Sequence, residues 1–457
     1  MSGVPWTKFQ DFYLRYGFLK VAVAALDSDR RSIGSPVLIR RLSQPLLPAR
    51  RRAAPMAHLR SREGGEKEAK GSPVVEELLR AGDCPSWLYA ITEPTTYKIV
   101  DWARDAGFLG RGNQIAERGL LLRRYQDETA TEAFLAGEVA AWNPFVMTEA
   151  ERWFLLYHLL EIDPVTEVMI DAIAATEPGQ VLETVDAARL FCRAFVDVLT
   201  KAEASIQLRD IPEYRTARAL ASTIAEELDL QEELRGAASW LTDSALQHAR
   251  GPRPRAPASG ARKSHKNADH QTIPRFEQLV DLGMLTKPGA DDEANKESAR
   301  KRWRYEATPL CRAWAAARRD TMADSFAWER FGGTLVQARD TQRTSRSPRA
   351  TSPTDAVRAA ARHLELAFEK VGRPVGMTPF DSLGLRSMLD AALQGEVVEM
   401  GFANRMLLAI KRSGVAEGTV FFASGNRVDQ MFVQLRSGFA EGVTANAEII
   451  AQEMEAA

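Results

Sequence analysis

The 457 residues are 45% hydrophobic and 26% charged, the balance of an ordinary globular chain, with room for about two to four domains. A net charge of -1 excludes a uniformly basic, DNA-coating protein, and Cys84, Cys192 and Cys311 lie too far apart for a CxxC zinc knuckle or a disulfide framework. The apolar run from Phe18 to Leu26 is interrupted by Lys20 and has no small-residue cleavage site, so neither a signal peptide nor a membrane span is expected, and a reducing cytoplasm is the expected location.

In chain order, residues 1–44 read as an N-terminal helical arm. Trp6, Phe9, Phe12, Tyr13, Tyr16 and Phe18 recur at mixed three- and four-residue spacing, which suits a helix docking one aromatic face. Nine arginines between Arg30 and Arg62 and the prolines Pro45, Pro48 and Pro55 make 45–71 a basic linker.

Residues 72–130 read as a compact three-helix module. Pro73–Ala81 and Pro85–Ile91 give two short helices, and Thr92 caps a third that runs to Ala106 with Pro94 in its first turn. Ile99, Trp102, Ala103 and Ala106 share the inner face of that helix and leave Thr96, Lys98, Asp101 and Arg104 outside. A strand at Phe108-Leu109, a tight turn through Arg111 and a returning strand from Gln114 to Glu117 follow.

Residues 131–249 carry almost no strand signal. Apolar residues recur at helical intervals in Ala150–Leu160, Pro164–Ala175, Val181–Ala202 and Ala217–Leu228, which predicts a helical bundle. With 21 acidic residues against 8 basic ones, this bundle suits a protein partner and not a phosphate backbone. His158 lies on its apolar face without a second ligand three or four residues away and reads as a core residue.

Residues 250–322 repeat the module. A proline- and glycine-rich segment, Arg250–His270, holds six Arg or Lys against one Asp and is expected to be non-helical. A helix from Pro274 to Leu282 stops at Gly283. Met284–Thr286 and Trp303–Thr308 then read as two strands around a long charged loop. The parallel between KIVDWARDAGFL with NQIAERG and PRFEQLVDLGML with RWRYEATP resembles the winged helix-turn-helix superfamily, in which a third helix enters the DNA major groove and a β-hairpin wing touches the backbone.

Beyond a linker at 323–353, rich in Ser, Thr and Arg towards its end, residues 354–457 predict a small α+β domain. Its expected helices are Asp355–Val371, Phe380–Leu393 and Val397–Arg412, its strands Thr419–Phe422 and Met431–Leu435, and its tail one more helix. The whole chain is therefore expected to be mainly α with small β wings: two winged-helix modules flanking a helical bundle, plus the α+β domain.

No catalytic constellation is legible. G-R-G-N-Q-I at 110–115 lacks a third glycine, no GxxxxGK[ST] is present, and Glu68-Ala69-Lys70 sits in the linker. Asp390, Glu396 and Glu399, and Ser424 on a turn, have no histidine close in sequence, so neither a cofactor nor a metal is expected. The resemblance implies a non-enzymatic protein on double-stranded DNA, acting as a regulator or as the DNA-recognition subunit of a multi-protein system such as phage defence, and the excess of alanine and arginine over lysine and asparagine suggests a bacterial one. Its expected DNA contacts are Thr96, Lys98, Arg104 and Arg111 in the first module. In the second they are Lys263, Lys266, Arg275, Arg300, Arg302 and Arg304, with Arg275 at a base edge. The alternatives are a scaffold whose winged helices dock partner subunits and a nuclease with its site in the C-terminal domain.

Overall fold

Helix α1 (Tyr16–Ala24) is apolar on every side and contains a single charge, and each of its nine residues is buried. In a computed structural model of the chain, which describes residues 15–26, 32–46, 93–138, 141–203, 212–238, 240–241, 266–288, 304–321, 330–343, 352–371, 377–416, 418–424 and 431–456, it belongs to a body ending at Glu151. The one charge, Lys20, is neutralised inside that body by Glu151 at 2.8 Å and donates to the Val146 carbonyl at 2.9 Å. The segment read as the end of a docking arm is thus a core helix. A charge placed this deep requires a buried counter-charge, and Glu151, far along the chain, supplies it.

On α1 pack α3 (Glu93–Asp105), α4 (Glu117–Arg123) and α5 (Glu128–Ala136), and α2 (Ser35–Leu46) packs on α3 and α5. The expected third helix of the first module is α3, whose Ile99, Val100, Trp102, Ala103 and Ala106 side are buried. The two helices expected before it lie outside the described residues. The strands expected after it shrink to one antiparallel bridge, Leu109 to Ile115, spanning a tight turn at Arg111–Asn113. No strand continues beyond Ile115, because Glu117 begins α4, and Gly119 of α4 lies so near that a Cβ there would stand 2.5 Å from the Phe108 carbonyl oxygen.

The second body begins at Arg152. Helices α6 (Glu149–Ile162), α7 (Pro164–Ala174), α8 (Thr184–Glu203), α9 (Pro212–Glu227) and the short α10 (Gln231–Leu234) form the expected helical region. Asp163 starts α7 as its cap, accepting from the Val165 N–H at 3.2 Å and the Thr166 hydroxyl at 2.7 Å, with Pro164 in the first turn. Between α7 and α8 the chain extends for two residues, β1 (Leu182–Glu183), a strand too short to leave a periodic signal.

Helix α11 (Lys266–Asp281) follows, then β2 (Leu285–Thr286) and β3 (Arg304–Ala307). The helix starts eight residues before the expected Pro274, and Lys266–His270, read as non-helical, form its first turns. Pro274 is held inside it despite the amide donor it lacks, because residues 271–279 are buried on all sides and the surroundings impose the helix. The sheet order is β1-β3-β2, all antiparallel, with Leu182 opposite Tyr305 and Leu285 opposite Ala307. Helix α12 (Pro309–Thr321) and helix α13 (Phe331–Arg343) complete this layer, where Trp153 stacks on Trp314 and Phe331 meets Trp314 and Tyr157. The stretch occupied by α13 falls within the expected linker 323–353, so this helix is a correction to the sequence reading. Its glycines, Gly332 and Gly333, leave room for the Glu399 carboxylate, as a Cβ on either would lie a tight 3.1–3.2 Å from it.

The C-terminal part runs α14 (Pro353–Val371), β4 (Thr378–Pro379), α15 (Phe380–Leu393), α16 (Met400–Ser413), β5 (Val420–Ser424), β6 (Met431–Leu435), α17 (Phe439–Ala445) and α18 (Ala447–Glu455). Its sheet order is β4-β6-β5, with Thr378 opposite Val433 and Val420 opposite Leu435. Val357, Ala361 and Leu364 of α14 meet Phe380, Leu383, Met406, Ile410 and Val433 in one core. The expected helices and hairpin are present, β4 is additional, and the tail is two helices parted at Asn446. The same succession, helix, strand, helix, helix, strand, strand with the first strand pairing to the third, thus occurs twice in this body: α7 to β3 with α9 and α10 inserted, and α14 to β6. Among the described residues the chain is mainly helical, with two small three-stranded antiparallel sheets.

Candidate nucleic-acid interface

A helix offered to a nucleic acid must leave one face open and carry cations that its own chain has not already neutralised. Around Arg275, helix α11 does neither. The Arg275 side chain is fully buried: its Nε lies 2.7 Å from Asp163 Oδ2, one Nη donates to the Gln271 carbonyl at 2.7 Å, and the guanidinium stacks on Phe191. The expectation that Arg275 reaches a base edge is therefore corrected. A guanidinium buried this deeply is held where a buried carboxylate and a ring face replace its hydration, and Asp163 at the head of α7 provides the carboxylate. Helices α8 and α9 pack on α11, and Glu277 on it is buried and receives the Tyr305 hydroxyl at 3.0 Å and an ion pair from Lys287.

Arg304 lies on β3, half-exposed, with Nε 2.9 Å from Glu183 Oε1 on the neighbouring strand. Lys263, Arg300 and Arg302 lie outside the described residues. Lys266 and Thr96 lie on the first turns of α11 and α3, and their side chains are outside what is described. In the first body Arg104 is split between Asp101, at 2.9 Å, and the Asn113 side-chain carbonyl, at 2.8 Å, while Arg111 is exposed on the tight turn and Lys98 is half-buried on α3. Arg104 therefore braces the turn, with Asn113 in turn donating to the Ile33 carbonyl at 2.9 Å. Arg104, Arg275 and Arg304 thus each meet a carboxylate of their own chain. No surface is described on which the expected cations converge.

Helix α16 differs. Ala403, Met406, Leu407, Ala409 and Ile410 form its buried side, and no Asp or Glu occurs between Met400 and Ser413. Gly401, Asn404, Arg405, Leu408, Lys411 and Arg412 follow one another at helical spacing on the other side and reach solvent fully or in part. Asn404 donates to Asp381 at 3.0 Å and Arg412 to Glu453 at 2.9 Å. Arg405 and Lys411 have no carboxylate partner among the described residues, and Lys411 Nζ lies 3.9 Å from Met431 Sδ, on the first residue of β6. This stripe went unrecognised in the sequence because the module around it was concealed: β4 is two residues long and one is proline. Its acid-free composition and spacing were there to read.

Among the described residues, several groups that could do chemistry are engaged by the fold. Asp390 accepts from Lys370 at 2.8 Å and Arg386 at 3.1 Å, and Glu396 lies 3.0 Å from the buried His363 ring. Glu399 accepts from the Gly333 N–H at 2.7 Å and the Gly332 N–H at 3.1 Å, joining the start of α16 to the start of α13. Burial pushes its carboxyl up from the ordinary range, and those two amides with the charge of Arg330 pull it partly back. His158 is buried in α6, Ser424 is exposed at the end of β5, and no group of three metal-ligating side chains occurs among the described residues. Burial pushes the Cys192 and Cys311 thiols up to about 12, so both are poor nucleophiles and poor ligands near neutrality. Comparison of the chain with protein-family models, curated proteins and solved structures finds no match.

Proposed function

We propose that the protein is a non-enzymatic, DNA-associated protein built on winged-helix modules, acting as a regulator or as the DNA-recognition subunit of a multi-protein assembly. The observation that carries this reading is the repeated succession of helix, strand, helix, helix, strand, strand with first-third-second strand order, the arrangement by which a winged helix presents a third helix beside a β-hairpin. The two stretches that support it are α7–β3 and α14–β6; the first expected module, at 72–130, is supported only by α3 and the single bridge after it.

A salt titration of the full chain on a mixed-sequence duplex tests the reading. Affinity falling with salt along a slope of several ions is the expected result, and no binding even at low salt would overturn it.

A second reading, an interaction scaffold, is favoured by one observation, the enclosure of α11 by its own chain. In that reading the middle module is a structural hub and its acid-rich helices meet a protein partner.

A further inference from the structure

We infer that two copies of this chain associate through the outer edge of β5, running antiparallel about Phe422, so that two three-stranded sheets become one continuous sheet. This association is independent of what the chain binds and goes beyond the DNA-associated reading above.

Strand β5 is the outer strand of the order β4-β6-β5. In an antiparallel ladder, alternate residues turn both backbone groups towards the neighbouring strand and the residues between them turn both away. The Arg436 N–H donates to the Thr419 carbonyl at 2.8 Å, which puts Thr419, Phe421 and Ala423 in the set that faces β6. The N–H and carbonyl of Val420, Phe422 and Ser424 therefore point out of the sheet, and none of them has a backbone partner among the described residues. The same phasing sets Pro379, which has no N–H, at a position of β4 that turns away from β6.

An open edge is normally guarded by shortness, a lysine, a proline or a bulge. The outer strands β1, β2 and β4 are each two residues long, and β4 includes Pro379. β5 has five residues, V-F-F-A-S, without charge or proline, and it pairs with β6 residue by residue with no bulge. Phe421 in its middle is 37% exposed.

The edge is complementary to itself. A two-fold axis at Phe422 sets Val420 opposite Ser424 of the second copy, so that every outward N–H and carbonyl of Val420, Phe422 and Ser424 finds a partner. Phe421 then stands opposite the small Ala423 of the second copy, in a close pair on the exposed side of the sheet. The charges at the two ends of the strand agree with this orientation. Lys411 Nζ lies 3.9 Å from Met431 Sδ, and Met431 is opposite Ser424 at one end. At the other end a Cβ on Gly442 would lie 3.6 Å from Thr419 Oγ1, which places α17 and its exposed Glu441 there. Neither Lys411 nor Glu441 has a counter-charge among the described residues. Antiparallel pairing brings the basic end of each copy to the acidic end of the other, whereas parallel pairing would set like charges together. An edge this short makes a small interface, so a dimer of about micromolar affinity is expected.

Sedimentation of the full chain, in buffer free of nucleic acid, reads the assembly. The wild type is expected to pass from monomer to dimer as its concentration rises through about the micromolar range. S424P removes an outward N–H and leaves the bonds to β6 in place, so its dimer should be at least about tenfold weaker, while S424A keeps wild-type association. K411E should weaken the dimer, and K411E/E441K should restore it by exchanging the two charges. Melting curves matching the wild type show that the variants are folded, and the charge exchange, made at exposed positions, decides the matter if S424P does not fold. A wild type still monomeric at about a hundred times the expected dissociation constant would overturn self-pairing and leave the edge to a strand of another protein. A dimer that folded S424P leaves intact, that K411E does not weaken, or that K411E/E441K does not restore would place the contact on another face and overturn the β5 edge.

Discussion

Arg275 Nε lies 2.7 Å from Asp163 Oδ2, and both side chains are sealed from water. One end of this pair belongs to the helix that would be the DNA reader of the middle module, and the other caps the helix that opens the module. The pair thus turns the would-be reader inward. A cation that looked exposed in the amphipathic pattern of PRFEQLVDL is a tertiary tie across 112 residues of chain.

Removing that cation leaves a buried carboxylate without its counter-charge. The R275A variant is expected to lose about 3–5 kcal/mol of stability, whereas R304A, which breaks a half-exposed pair with Glu183, should lose less than about 1 kcal/mol. Urea unfolding of both variants, read as the change in midpoint at constant slope, checks the contrast. Similar losses would show that burial of the Arg275–Asp163 pair carries no special weight.

The Glu399 carboxyl is harder to ionise in the folded chain than its ordinary 4.5, mainly because it is buried. A raised carboxyl contributes stability that is fully present below the ordinary value and is lost as pH rises through the folded one. The wild type should therefore lose thermal stability relative to E399Q as pH climbs from below the ordinary carboxylate range, and the difference should level off once the folded group has ionised. Melting temperatures of the two proteins across this range provide the measurement, and curves that stay parallel throughout would contradict the assignment.

Cys192 and Cys311, with thiols pushed up to about 12 by burial, should resist a disulfide reagent in the folded state. In a C84S variant at about pH 8, close to the ordinary thiol range, no rapidly reacting thiol is expected, and two should appear on unfolding in guanidinium. Rapid modification of the folded variant would show that one of these helices opens readily. The stability that the two thiols lend is present below the ordinary 9.0 and is lost as pH rises towards 12.

Much of the local structure was legible in the sequence. Val357, Ala361 and Leu364, three or four residues apart, mark the buried side of α14, and Phe380–Leu393 and Met431–Leu435 coincide with α15 and β6. Apolar periodicity is a property of neighbouring residues and survives without knowledge of the fold. The two-residue strands β1 and β4 left no such trace. Each exists because β3 or β6 offers it a partner, so the repeated topology could not be counted before the strands were placed.

The same division separates the candidate sites. By itself, the sequence determined most of the helical segments and which of them are acidic, while α13 and the first turns of α11 escaped it. Only the tertiary structure decided which helices stay open to solvent. Arg275 and Arg405 both stand mid-helix with the same side chain. One is enclosed because α8 and α9 pack over α11 and Asp163 compensates its charge, while the other keeps its water because its side of α16 is left uncovered. Whether a cation is available to a partner depends on what the rest of the chain packs against it, and that information is non-local.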